Sequence, residues 1–173
     1  MTYLREQRNS AYTLIEMIIS IMLMAILGGL LASIIAVNFK TMGDVSDRKK
    51  LVTRGTLAIN LFEREVGMLK TPADILVATS SEFKFTDTYG NTLDYVITGN
   101  TLTRKLGAGT AMALATPIIN TDTEFSYYGA NNATTSVKAD MRLIKLVLVM
   151  DDGGTGISLL SIVYPENIKV VNH

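Results

Sequence analysis

Ala11-Tyr12-Thr13-Leu14-Ile15-Glu16, followed without a break by the apolar run Met17 to Val37, decides how the rest of this 173-residue chain can fold. That run holds no charge and no proline, and nothing more polar than Ser20 and Ser33. At about 1.5 Å of rise per residue, a helix of this length covers the roughly 30 Å hydrocarbon core of a bilayer. Glu16 does not fit that environment. It lies between Leu14-Ile15 and Met17-Ile18-Ile19, where an acid is costly: about 2.5–3.5 kcal/mol at a helix centre on insertion scales, and less toward the interface. An intramembrane acid needs a partner and marks a functional position.

Three ordinary readings of the run compete. A secretory signal has an apolar region of roughly 7–15 residues followed by a small-x-small cleavage site. This run is longer, and the site it offers, around Ile34-Ile35-Ala36, is weak. A plain membrane anchor accounts for the length but not for Glu16. A buried core helix fits worst, because apolar runs of about 18 residues or more read as membrane spans.

A fourth reading comes from likeness. Ala11-Tyr12-Thr13-Leu14-Ile15-Glu16 resembles the processing site of type IV pilins and pseudopilins, in which a short basic leader ends in a small residue and an aromatic residue, Thr, Leu, Ile and Glu follow. The resemblance implies that a prepilin peptidase cuts between Ala11 and Tyr12 and that Tyr12 becomes the N-methylated first residue. It also implies that Glu16 pairs with the amino terminus of a neighbouring subunit during filament assembly. The implied partners are the prepilin peptidase, other pilin or pseudopilin subunits, an inner-membrane assembly platform and the lipid bilayer. Ala11 stands where the family usually has Gly, and Tyr12 where it usually has Phe. The physics is consistent with the implied role, since opposite charges brought together in a low-dielectric layer attract strongly and relieve each other's desolvation.

Charge is informative by region. The leader carries Arg5 and Arg8 against Glu6; residues 38–70 carry seven basic and four acidic groups, and residues 71–173 seven basic and ten acidic. A C-terminal domain of net negative charge has no electrostatic footprint for nucleic acid. Positive-inside counting alone, with Lys40, Arg48, Lys49 and Lys50 behind the span, leans toward a cytoplasmic C-terminal side. The resemblance implies the opposite: leader in the cytoplasm, domain in the periplasm or outside the cell. The second orientation is the one expected, because the basic cluster opens only at Arg48, well beyond Val37, and long trailing domains translocate largely regardless of charge. The chain has no cysteine, so no disulfide can form. Many major pilins close a C-terminal loop with one, which favours a minor pilin or pseudopilin.

Within the span, small residues recur four apart, as Gly28, Ala32 and Ala36 on one stripe and Ala25, Gly29 and Ser33 on another. Such stripes let helix backbones approach closely in a membrane, although Gly and Ala are common in spans in any case. Beyond Val37 the pattern turns amphipathic: Val45, Val52, Leu57, Leu61, Val66 and Leu69 recur at helical spacing. The helix is expected to continue to Thr71-Pro72, with a bend at Gly43 or Gly55, and Phe62-Glu63-Arg64-Glu65 reads as a solvated charged face.

From Asp74 the period becomes two. Strands are expected around Phe83 and Phe85, at Leu93 to Ile97, and at Thr101 to Leu106 after a Gly99-Asn100 hairpin turn. Gly107 to Thr116 reads as a loop, Thr123 to Tyr128 as a strand, and Asn131 to Ser136 as a polar loop. Leu143 to Met150, apolar on both faces, is the expected central strand, followed by Ile157 to Tyr164 and a short edge at Ile168 to Val171. The expected organisation is a leader at 1–11, a long helix at 12–70 with its membrane segment at 17–37, and a β-rich domain at 71–173. The fold class is α+β, a long N-terminal helix packed on an antiparallel sheet as in pilins. Tyr95-Val96-Ile97, Leu102-Thr103-Arg104 and Val163-Tyr164-Pro165-Glu166-Asn167 look like short patches of J-class pseudopilins, and equally like related minor pilins.

No catalytic constellation, metal site or cofactor site is expected. His173 is the only histidine, so no His-based triad or facial metal triad can be built. Asp151-Asp152 has the letters of a hard-cation ligand and equally those of a turn between two strands. Asn132-Ala133-Thr134 has the letters of a glycosylation acceptor, and Tyr127-Tyr128 reads as half-buried strand. The function expected is structural: a minor subunit of a type II secretion pseudopilus, type IV pilus or competence pilus, acting in initiation or at the tip. The alternative is a membrane-tethered binding or sensor domain that never polymerises.

Overall fold

The computed structural model describes residues 13–153 and 156–168. The chain divides into two compact units, Met1–Gly43 and Asp44–His173, and each is taken by itself. One helix, α1 (Leu14–Gly67), contributes to both. In the first unit it is a single helix whose side chains are all exposed, from Thr13 through Gly43. Gly28-Gly29, Gly43 and Gly55 all lie inside α1, which passes through them without interruption. The helix stops at Gly67, short of the expected 70. The Met68 and Leu69 N–H groups then bond the Glu65 and Val66 carbonyls, both at 3.0 Å, in one tighter turn. Thr71-Pro72 opens a short 3₁₀ turn, Pro72–Asp74, in which Asp74 accepts the Thr71 backbone N–H at 3.0 Å.

The second unit holds the rest of α1 and two antiparallel sheets. Strands β1 (Ile75–Ala78), β2 (Glu82–Thr86), β3 (Thr92–Thr98), β4 (Thr101–Leu106) and β5 (Met112–Ala115) lie in chain order in the larger sheet. Strands β6 (Glu124–Tyr128), β7 (Leu143–Met150) and β8 (Ile157–Val163) form the smaller one, with β7 central as its composition demands. The β3–β4 hairpin turns on Gly99-Asn100, with Thr98 opposite Thr101 and Gly99 at φ +57°, a conformation open to glycine without strain. Period-2 alternation holds in β2 and β3: Phe83, Phe85, Leu93, Tyr95 and Ile97 face the core. The sheets adjoin where the Phe125 N–H bonds the Ser80 carbonyl at 2.9 Å and the Tyr127 hydroxyl bonds the Thr79 carbonyl at 2.8 Å.

Three expectations from the sequence are corrected by the structure. Gly107 to Thr116 is not all loop, since β5 pairs with β4 through Thr103 opposite Ala113. At the C-terminal end Glu166–Ile168 is a 3₁₀ turn rather than the start of an edge strand, and residues 169–171 lie outside the described residues. The third concerns the helix stripe. Val45, Val52 and Leu57 are exposed, whereas the buried face is Leu51, Gly55, Ala58, Ile59, Phe62, Glu65 and Val66. Gly55 is buried against the ends of two side chains from the smaller sheet: a Cβ there would sit 2.3 Å from Leu159 Cδ1 and 3.1 Å from Met150 Sδ, so both would have to shift.

Phe62 joins the layers. Its ring meets Tyr95 of the larger sheet edge-on at 5.2 Å and Phe125 of the smaller sheet at 5.8 Å. Fully buried, it has a removal cost of about 3–5 kcal/mol.

Candidate functional site

The site predicted from sequence begins at the start of α1. Thr13 sits just before the first helical residue, and its hydroxyl accepts the Glu16 backbone N–H at 3.3 Å, taking up one of the donors a helix start leaves unpaired. Its carbonyl accepts the N–H groups of Glu16 and Met17 at 3.1 and 3.2 Å. Thr-x-x-Glu is thus the local signal that starts the helix here. Glu16 follows in the first turn, where a carboxylate is favoured by the partial positive charge of the helix end. One turn on, the Ser20 hydroxyl donates to the Glu16 carbonyl at 2.8 Å and so satisfies itself within the apolar run.

Glu16 is exposed, and it is the sole charged residue between Thr13 and Phe39. Gly28, Gly29, Ala32 and Ala36 lie on the same helix, starting about 18 Å further along its axis. Among the described residues, nothing beyond the helix's own adjoining backbone comes within 4 Å of a Cβ built at Gly28 or Gly29. Ala11 and Tyr12, the expected cleavage and methylation positions, lie outside the described residues. α1 is the one helix among the described residues that is long and apolar enough to cross a membrane.

The second unit contains a polar cluster that sequence reasoning missed. Glu65, 4% exposed, faces the larger sheet from α1. Arg104 of β4 grips it with two bonds, Nη2 to Oε1 at 2.6 Å and Nε to Oε2 at 2.8 Å, and the buried Tyr95 hydroxyl donates to Oε2. The Glu65 bond raises the guanidinium pKa, outweighing a lowering by burial. Burial first, and Glu65 second, push the Tyr95 hydroxyl far above its usual range. Nearby on the helix, Glu63 accepts from Ser161 of β8 at 2.9 Å. Phe62-Glu63-Arg64-Glu65 is therefore a solvated face only at exposed Glu63 and Arg64, while Phe62 and Glu65 are buried, and the bonds of Glu63 and Glu65 tie the helix to both sheets. One signal was available, because Glu65 falls on the stripe of Leu51, Ala58, Phe62 and Val66, where an acid demands a partner.

The remaining candidates lie in turns and in β6. Asp151 Oδ1 accepts the Gly153 N–H at 2.8 Å, closing the β7–β8 turn with Gly153 at φ +98°. Asn132 occupies a turn with φ +58°. Tyr127 is buried and Tyr128 half-buried in β6. Among the described residues no three His, Cys, Asp or Glu side chains gather as a metal site.

Comparison with protein families matches residues 7–32 to the prokaryotic N-terminal methylation motif. Comparison with curated proteins finds no match. The matched segment takes in Ala11, Tyr12, Glu16, Gly28, Gly29 and Ala32, and it supports a type IV pilin-family subunit, a structural class of protein. The chain thus carries the prepilin-type N-terminal methylation motif of type IV pilins, on a long apolar helix with an α+β architecture consistent with the pilin-like fold.

Proposed function

We propose that this chain is a minor pilin or pseudopilin, inserted once in the bacterial inner membrane and acting in the initiation or at the tip of a type IV filament. Prepilin peptidase removes residues 1–11 and methylates Tyr12, leaving a chain that runs from Tyr12 to His173. The domain beyond the span lies outside the cytoplasm. The absence of cysteine, and so of the loop disulfide of many major pilins, supports a minor role.

One observation carries the reading: Glu16 is a lone carboxylate, exposed at the head of an otherwise charge-free helix segment. Buried in a membrane, such a charge is costly until an opposite charge meets it. The ammonium created at Tyr12 by cleavage is that charge, and methylation preserves it. A neighbour's Tyr12 amine then pairs with Glu16 and sets the register between subunits, while Gly28, Gly29, Ala32 and Ala36 let adjacent helices approach.

Glu16→Ala and Glu16→Gln test this. Both variants should be processed and inserted normally, because removing a carboxylate lowers the cost of transfer. Both should fail to crosslink or co-purify with other filament subunits from native membranes, because a neighbour's ammonium is left without its counter-charge. Wild-type co-assembly of Glu16→Ala would contradict the pairing and favour a tethered domain that does not polymerise.

A further inference from the structure

The four outer edges of the two sheets are not alike. β1 and β5 are four residues long, and the ladders that bind them are irregular, between Ile75 and Val77 and between Leu102 and Thr103. β6 carries Glu124. Short strands, irregular pairing and edge charges are the devices that stop a sheet from recruiting another strand. β8 has none of them. Its sequence, Ile157-Ser158-Leu159-Leu160-Ser161-Ile162-Val163, holds no charge, proline or glycine. It pairs with β7 in unbroken register from Ile157 opposite Met150 to Val163 opposite Ile144. Among the described residues no backbone hydrogen bond reaches it from outside β7. Its outer face carries an exposed apolar row, Leu160 at 56%, Ile162 at 48% and the following Tyr164 at 61%, beside half-buried Val147 and Val149, with exposed Ser158 at one end and Lys145 of β7 opposite Ile162.

We infer that β8 is a pairing edge and that its partner is β8 of a second copy of this chain. The charge pattern selects the occupant. An edge without charge discriminates against charged strands, and the strand that matches it in length, neutrality and one-sided apolar exposure is β8 itself. Two copies sharing one edge are related by a two-fold axis, so the two strands run antiparallel. Opposite residues then fall on the same face, and Leu160 and Ile162 of both copies form one apolar strip across a six-stranded sheet. A single membrane span holds the copies in one layer and raises their effective concentration. The inference does not depend on Glu16 or on filament assembly.

The cysteine-free chain makes the test clean. Single cysteines are placed at Ser158, Leu160, Ile162 and Tyr164 of the full chain, expressed alone and in pairs, and oxidised in native membranes. Directly opposite residues have Cβ atoms about 4.5–5.5 Å apart and diagonal ones clearly further, while a disulfide needs about 3.5–4.5 Å. Dimer yield should therefore concentrate in pairs whose residue numbers share one sum, and fall about tenfold in the others. Lysine at the neighbouring outer position, Leu160→Lys or Ile162→Lys, should cut that yield about fivefold or more at unchanged protein level. Four results would overturn the inference: no dimer, equal yields at all positions, crosslinks only to a different protein, or capture of β8 by a cysteine at Val171 of the same chain.

Discussion

Removing the carboxylate of Glu65 should destabilise the second unit far more than its place in a charged tetrapeptide suggests. The side chain is 5% exposed and its partner Arg104 19%. Breaking a buried pair by deleting one member costs about 3–5 kcal/mol, because the other charge is stranded. Arg104 keeps some contact with water, which puts its loss near the lower end, about 3 kcal/mol. The buried Tyr95 hydroxyl also loses its acceptor, worth about 1 kcal/mol, and the two losses share a site and do not fully add. Glu65→Ala should therefore cost about 3–4 kcal/mol. The assay is urea unfolding of the full chain in detergent, followed by tyrosine fluorescence, which is unmasked because the chain has no tryptophan. A cycle with Glu65→Met, Arg104→Met and the double variant separates the pair from its surroundings. The double variant should be more stable than either single one, since two apolar side chains strand no charge. A cost below about 0.5 kcal/mol for Glu65→Ala is what a solvated surface acid would show, and it would refute the helix-to-sheet tie.

Other expectations follow from neighbouring contacts. Gly55→Val should lose about 2 kcal/mol or more in the same unfolding assay, because its Cβ would meet Leu159 at 2.3 Å in a packed layer; an unchanged midpoint would mean that helix and sheet are not in close contact there. Acid should weaken the β2–β3 turn. Burial raises the Asp87 carboxyl, but bonds from the Asn91 side chain and from the Asn91, Tyr89 and Gly90 backbone outweigh it, so its folded pKa lies below the ordinary 3.8. A carboxylate held below its unfolded value stabilises the fold above that value and loses its contribution as pH falls through the folded one. Unfolding free energy should thus decline as pH drops below about 4, and Asp87→Asn should flatten that part of the profile.

What the sequence made legible was whatever depends on neighbours along the chain. The apolar run, the Gly99-Asn100 turn and the alternation of Phe83 with Phe85 are local patterns, and the corresponding helix and strands formed where expected. The buried stripe of α1 was misphased because its true face includes Gly55, Ala58 and Glu65. None of these reads as apolar bulk, and their burial is decided by Leu159, Tyr95 and Arg104, which lie far away in sequence. Val45, Val52 and Leu57 look like a core stripe and face solvent. β5 escaped for a similar reason, since Met112-Ala113-Leu114-Ala115 has little strand character of its own and is ordered by its pairing with β4. At the candidate site the residue types of Thr13 to Glu16 were legible, and the capping bond from Thr13 came only with the structure.

Whether the chain is processed as a subunit of a type IV filament system is read from the intact mass of the membrane-extracted protein. The expected mass is that of Tyr12 to His173 plus one methyl group when prepilin peptidase is present, and that of the unprocessed chain when the peptidase is deleted. A mature chain that still begins at Met1 with the peptidase active, or one cut near Val37, would contradict that processing.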